Sequence, residues 1–277
     1  MYQPLPPHWD QADQAARDRA FSNAKSVPDS PTIIEERNVA SAAFRSSRPD
    51  KLNLPYSSGE RCAWDLYPGS EPGAPCLVFI HGGYWQNGRR EDYAVFAEGA
   101  LALGWSAALP GYTLAPKASL GEIVREIHAA LDWLAKSGKA HGIAGKIVLS
   151  GWSAGGHLVA MSVDHPAVSA GLAISGIFEL APIRDTYLNA ALKLTETEIA
   201  SLSPLRLPPS GKPISIAYGS AELPQLRRQS RAWHEYRSEA HCPGPLIPVA
   251  RSDHFRILNT LRQPDGALVR AAEELLR

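Results

Sequence analysis

Beyond about residue 50, short apolar runs alternate with amphipathic stretches, and few folds accommodate that rhythm. The apolar runs are Leu52–Tyr56, Arg61–Leu66, Cys76–Ile80, Trp105–Leu109, Lys146–Ser150, Leu172–Ser175, Pro213–Tyr218 and Pro245–Ala250. The later ones are nearly all apolar, as in parallel strands covered on both faces. Residues 61–66 alternate instead, with Ala63 and Asp65 opposite Trp64 and Leu66. Helical periodicity appears between the runs at Asp92–Leu103, Leu120–Lys136, Gly156–Val163, Gln225–Glu239 and Ala267–Leu276. In Leu120–Lys136, Ile123, Ile127, Ala130, Leu131 and Leu134 share one face. Strands alternating with helices predict an α/β fold: a doubly wound, mostly parallel eight-stranded sheet covered by helices on both faces.

Two segments fall outside the alternation. Residues 1–50 lack strand patterning. Asp10 to Ser22 and Pro31 to Ser46 read as helices, the second with Ser30 as its N-cap, lying over the sheet or its mouth. Residues 176–212 carry Pro182, Pro204, Pro208 and Pro209 with a helical patch at Glu196–Ser201, and read as a small cap-like insertion. With 277 residues, the reading is one domain over 1–277. Lys plus Arg number 28, as do Asp plus Glu, and no basic block points to nucleic acid. Met1–Pro7 shows no signal-peptide pattern and no apolar stretch is long enough for a bilayer, so neither membrane nor export is expected. Three cysteines without metal-like spacing (Cys62, Cys76, Cys242) read as free thiols in a reducing cytoplasm. No metal or organic cofactor is expected.

Two of the apolar runs break into glycine turns. His81-Gly82-Gly83-Tyr84-Trp85 follows Cys76–Ile80, and Gly151-Trp152-Ser153-Ala154-Gly155 follows Ile147–Ser150. The second has the G-x-S-x-G pattern of a serine held on a sharp strand-to-helix turn, and the first is the partner loop that supplies oxyanion donors in such sites. Ser153 is the expected nucleophile. The small residues Gly151, Ala154, Gly155 and Gly156 suit the close approach that the turn demands. The N–H of Ala154, together with the loop Gly82, Gly83 and Tyr84, forms the expected oxyanion hole. His81 reads as a brace for that loop. Eight strands with the nucleophile after the fifth is the order of an α/β hydrolase.

In this architecture the chain order is serine, acid, histidine, gathered at the carboxyl ends of the strands. Of nine histidines, His8, His81, His128 and His141 precede the serine. His157 and His165 belong to its helix, His234 is mid-helix, and His241 precedes the last strand. His254 alone follows the final strand on a short loop and is the expected base. Glu222 is the only carboxylate on the loop after the seventh strand and is the expected acid, with Asp253 and Asp185 as rivals. Trp85 and Trp152 flank the two turns, where they either narrow the acyl side of the pocket or pack the core. Tyr112, Tyr187 and Asn189 are candidates for the leaving-group side, or for packing and turn roles.

These motifs resemble the kynurenine formamidase (arylformamidase) branch of the esterase/lipase α/β hydrolases. The resemblance rests on His81–Trp85, on Gly151–Leu158, and on Gly111-Tyr112-Thr113-Leu114-Ala115-Pro116. It extends to Ser175-Gly176-Ile177-Phe178-Glu179-Leu180, Glu222-Leu223-Pro224 and His254-Phe255, and covers residues 50–277. It implies a metal-free hydrolase releasing formate from an N-formyl arylamine. Several relatives carry Asp as the acid where this chain has Glu222. The branch also contains general esterases and hydrolases of other amides, so a broad short-chain carboxylesterase is the alternative. A non-catalytic binding protein on the same scaffold is disfavoured by the intact Ser153, Glu222 and His254. The expected partner is a small amide or ester, with a homodimer left open.

Overall fold

The computed structural model describes residues 5–71 and 73–277; Met1–Pro4, part of the stretch read for a leader, lie outside the described residues. Its centre is an eight-stranded sheet in the order β1-β2-β4-β3-β5-β6-β7-β8. The strands are β1 (Leu54–Pro55), β2 (Ala63–Tyr67), β3 (Cys76–Ile80), β4 (Ser106–Pro110), β5 (Ile147–Trp152), β6 (Val168–Ile174), β7 (Ile214–Gly219) and β8 (Leu246–Val249). β2 pairs antiparallel with β1 and β4, and the strands from β4 to β8 are parallel. This is the sheet of an α/β hydrolase.

Successive side chains of a strand point to opposite faces, and here both faces are apolar. In β3, Cys76, Val78 and Ile80 face one layer while Leu77 and Phe79 face the other. Among five principal helices, α1 (Ser30–Ser46) and α5 (Ala267–Glu274) cover the second face. α2 (Leu120–Ser137), α3 (Ala154–Ser162) and α4 (Pro224–Glu239) cover the first. Ser119 caps α2, accepting from Glu122 N while the Glu122 carboxylate accepts from Ser119 N, so the helix start is specified within four residues.

Several local expectations change. β2 is buried on both sides instead of alternating, because α1 lies over its second face. Asp65 is consequently buried, and the Arg45 guanidinium (2.8 Å) and that of Arg90 (3.2 Å) compensate its charge. Ser30 is not the N-cap of α1: Asp29 holds that position without a side-chain cap bond, and Ser30 Oγ donates to Ala24 O. The helix expected over Asp10 to Ser22 is split into a short turn at Trp9–Gln11 and a helix at Gln14–Ala20, which Asp13 caps. Asp92–Leu103 is a tight 3₁₀ run, Arg90–Ala97, that relaxes into Glu98–Ala102.

Residues 176–212 form short helices at Ala181–Arg184, Asn189–Leu192 and Glu196–Leu202. Their root is core, since Ile177, Phe178 and Leu180 are fully buried. The buried Glu179 carboxylate accepts from Arg206 Nε and from Ala181 N, while Gln229 of α4 accepts from Phe178 N and Glu179 N. The start of the insertion is thereby tied to α4 and, through Arg206, to the insertion's far end.

Candidate active site

β5 ends at Trp152, and Ser153 turns the chain with φ 58° and ψ −117° before α3 begins at Ala154. A non-glycine residue there is strained, typically by about 1–3 kcal/mol, and the surroundings must hold it. Ser153 N donates to Ile174 O at 2.8 Å, and His157 N donates to Ser153 O. The flanks leave no room for side chains. A Cβ on Gly151 would lie 2.4 Å from Gly155 O, and one on Gly155 would lie 2.1 Å from Ile80 O. The strand–turn–helix therefore interlocks with the end of β3.

The loop after β3 takes three consecutive positive φ angles, at Gly83 (115°), Tyr84 (50°) and Trp85 (57°). Gly82 presses on the serine turn: a Cβ there would meet Trp152 Cε3 at 2.6 Å and Ser153 Cβ at 3.0 Å. His81 braces the loop, as expected from its sequence position. Its ring lies between Tyr93 and Tyr112, 5.6 and 4.3 Å away, and its Nδ1 is 2.8 Å from Gly82 O. A carbonyl oxygen only accepts, so Nδ1 carries the proton. Burial pushes the imidazole down to about 3, so it is neutral. Fixing the Gly82 carbonyl also fixes the Gly83 N–H, because the two belong to one planar peptide unit.

Glu222 and His254 stand on the loops that follow β7 and β8, and both are buried. His254 Nδ1 lies 3.4 Å from Glu222 Oε2, at the long end of hydrogen bonding. Glu222 Oε1 accepts from Gly219 N (2.7 Å) and from Ser175 Oγ (2.5 Å). Trp152, the residue before Ser153, donates from Nε1 to His254 O at 2.8 Å, and its ring is 4.7 Å from the imidazole. The rival acids are engaged elsewhere. Asp253 accepts from Phe255 N and Arg256 N and pairs with Arg256. Asp185 accepts from Trp9 Nε1 and Arg184 Nε.

The candidate substrate residues divide. Trp85 and Tyr112 pack into the core rather than onto an open wall: neither has exposed surface, Trp85 meets the edge of His157, and Tyr112 stacks on His81 and donates to its carbonyl. Asn189 is a turn residue, its amide oxygen accepting from Leu194 N. Tyr187 is half exposed. Trp152 stays beside the histidine. Sequence reasoning gave no role to Ser175, although a small polar residue at a strand end before a glycine is a visible signal. It also gave none to Phe21 and Asn23. Tyr84 OH donates to Phe21 O (2.8 Å) and accepts from Asn23 Nδ2 (3.1 Å), tying the N-terminal segment to the glycine loop.

A cleft of about 650 Å³ runs beside the histidine loop between α1 and residues 255–263, lined by Ile33, Arg37, Phe96, Phe255 and Arg256. Its lining includes none of Ser153, Glu222 and His254, each of which is less than 5% exposed. Among the described residues, no group of His, Cys, Asp or Glu is placed to hold a metal ion, and no helix is long and apolar enough to cross a membrane.

The family model described as BD-FAE matches residues 65–168, from β2 through the serine turn to β6. Among solved structures, a putative thioesterase from Silicibacter sp. TM1040 superposes with a TM-score of 0.84 at 29% identity, covering 92% of this chain and 98% of that one. The carboxylesterase EstE1 from a metagenomic library superposes at 0.70 with 17% identity, covering 88% and 96%, a likeness of fold. Kynurenine formamidase of Salmo salar is 31% identical over 231 residues, 77% of this chain and 78% of that protein. The enzyme of Danio rerio is 30% identical over 234 residues, 78% of each. On that extent of similarity, and with the sheet of an α/β hydrolase at its centre, the chain belongs to the kynurenine formamidase family.

Proposed function

We propose that the protein is a serine hydrolase that removes a small acyl group, formyl above all, from an arylamine, converting N-formylkynurenine to kynurenine and formate. The observation that carries the serine mechanism is the Glu222–His254 contact beside the strained turn at Ser153. The formamide substrate is carried by the likeness to kynurenine formamidases over 78% of the chain.

Ser153 Oγ attacks the formyl carbon as its proton passes to His254 Nε2. Glu222 holds Nδ1–H and stabilises the imidazolium. The carbonyl oxygen becomes an oxyanion and takes hydrogen bonds from the N–H groups of Ala154 and Gly83, with Gly82 and Tyr84 shaping that loop. Each such donor is typically worth about 3 kcal/mol in the transition state. His254 then protonates the arylamine nitrogen as the C–N bond breaks, leaving formyl on Ser153 Oγ. Water attacks this ester, giving its proton to His254, and formate leaves as Ser153 regains its hydrogen.

The test is kcat/KM for N-formylkynurenine against p-nitrophenyl acetate, with Ser153→Ala as control. A formamide preference that vanishes in Ser153→Ala is the expected result. Ester turnover with negligible formamide hydrolysis would overturn the substrate and make the protein a short-chain carboxylesterase. Undiminished activity in Ser153→Ala would overturn the mechanism.

A further inference from the structure

Ser175 is the first residue beyond β6, fully buried, and held at φ 51°, where a serine is strained. Its backbone N–H donates to Ala217 O at 2.7 Å, which continues the β6–β7 ladder by one bond and fixes the residue in place. Its hydroxyl lies 2.5 Å from Glu222 Oε1, a separation typical of an O–H donor on a charged oxygen. An ionised carboxylate can only accept, so the single hydroxyl proton points at Glu222. Gly219 N donates to the same oxygen at 2.7 Å. Oε1 is thus doubly occupied and Oε2 is the oxygen left facing His254 Nδ1. Among the described residues, these two bonds are the ones that select which Glu222 oxygen meets the histidine.

We propose that Ser175 is a positioning residue for the acid: through Glu222 Oε1 it fixes the carboxylate's rotation, so that Oε2 faces and orients His254. The proposal rests on the reading of Ser153, His254 and Glu222 as the reacting set. Ser175 does not touch substrate, so its loss lowers kcat and leaves KM nearly unchanged.

Ser175→Gly is the informative variant, because glycine adopts φ 51° without strain and removes only the hydroxymethyl group. On whichever of N-formylkynurenine and p-nitrophenyl acetate the wild type turns over, kcat should fall about tenfold to a hundredfold, the effect of losing one charge-assisted hydrogen bond. Ser175→Cys, with a weak donor at the same place, should recover part of the loss. In a Glu222→Gln background, Ser175→Gly should cost little more, since its effect runs through the carboxylate. Wild-type kcat in Ser175→Gly, or a loss that falls on KM and not on kcat, would overturn the proposal. So would a loss that multiplies in full with Glu222→Gln. Activity that survives Ser153→Ala would instead overturn the reading beneath it, and that control separates the two failures.

Discussion

At the scale of single residues, the site is governed by what cannot be added. A Cβ on Gly82 would lie 2.6 Å from Trp152 Cε3 and 3.0 Å from Ser153 Cβ, so a methyl group there must push the glycine loop off the serine turn. Gly82→Ala should reduce kcat/KM by about 10²–10³, the usual consequence of displacing an oxyanion donor. Binding measured with a substrate analogue should change far less. Equal losses in both would show that the methyl group had disturbed the substrate pocket and left the oxyanion loop in place. Residues of this kind are readable in sequence because their chemistry is positional. As candidates, Ser153 is marked by its small neighbours, His254 by following the last strand, and Glu222 by being the only carboxylate on the loop after β7. Trp85 and Tyr112 were not readable in the same way. An aromatic residue beside a turn has the same letter whether it walls a pocket or fills the core, and here both lie with no exposed surface against histidines of the interior. Ser175 was missed because its role depends on a partner 47 positions away on another strand's loop.

At the scale of elements, the sheet was legible because strands covered on both faces, such as β3 to β7, need apolar runs, and all eight runs became strands. Boundaries shifted where burial or hydrogen bonding overrode composition. Leu52–Tyr56 shrank to Leu54–Pro55 at the sheet edge, and β6 begins at Val168. The N-terminal segment was the least legible, since the polar bonds that place it are non-local. Trp9 and Gln14 bond to Asp185, Asp18 accepts from Tyr187 N, and Phe21 and Asn23 meet Tyr84. Removing the Tyr84 hydroxyl deprives Phe21 O of its donor and Asn23 of its acceptor in a buried place, which costs about 1–3 kcal/mol. Because this cost falls on one short segment, Tyr84→Phe should open it locally. Amide hydrogen exchange over residues 13–26 should quicken while that of β3 and β5 stays at the wild-type rate. Unchanged exchange over residues 13–26 would mean that the bonds to Asp185 and Asp18 hold the segment without Tyr84.

At the scale of the whole molecule, two apolar layers enclose the sheet, and each polar group trapped with them must be neutral or paired. Asp65 and Glu179 are paired with arginines. His81 and His157 are neutral instead: burial pushes them down from 6.5 to about 3 and about 4. His157 donates from Nε2 to Leu202 O at 2.8 Å, tying α3 to the insertion. The unfolded chain protonates both imidazoles near 6.5 and the folded chain does not. Stability is therefore full above pH 6.5 and falls as the pH drops toward 4, by roughly 1 kcal/mol per pH unit for each histidine. The slope can be assigned to a residue. His157→Gln keeps a side-chain N–H for Leu202 O but has nothing to protonate, so its urea midpoint should fall less between pH 7 and pH 5 than that of the wild type. At pH 7 the variant should be the less stable of the two, since the amide does not fill the space of the ring against Trp85. The two stability curves should then converge as the pH falls. Curves that stay parallel would mean that the acid sensitivity belongs to the carboxylates, and that burying His157 neutral carries no measurable penalty in acid.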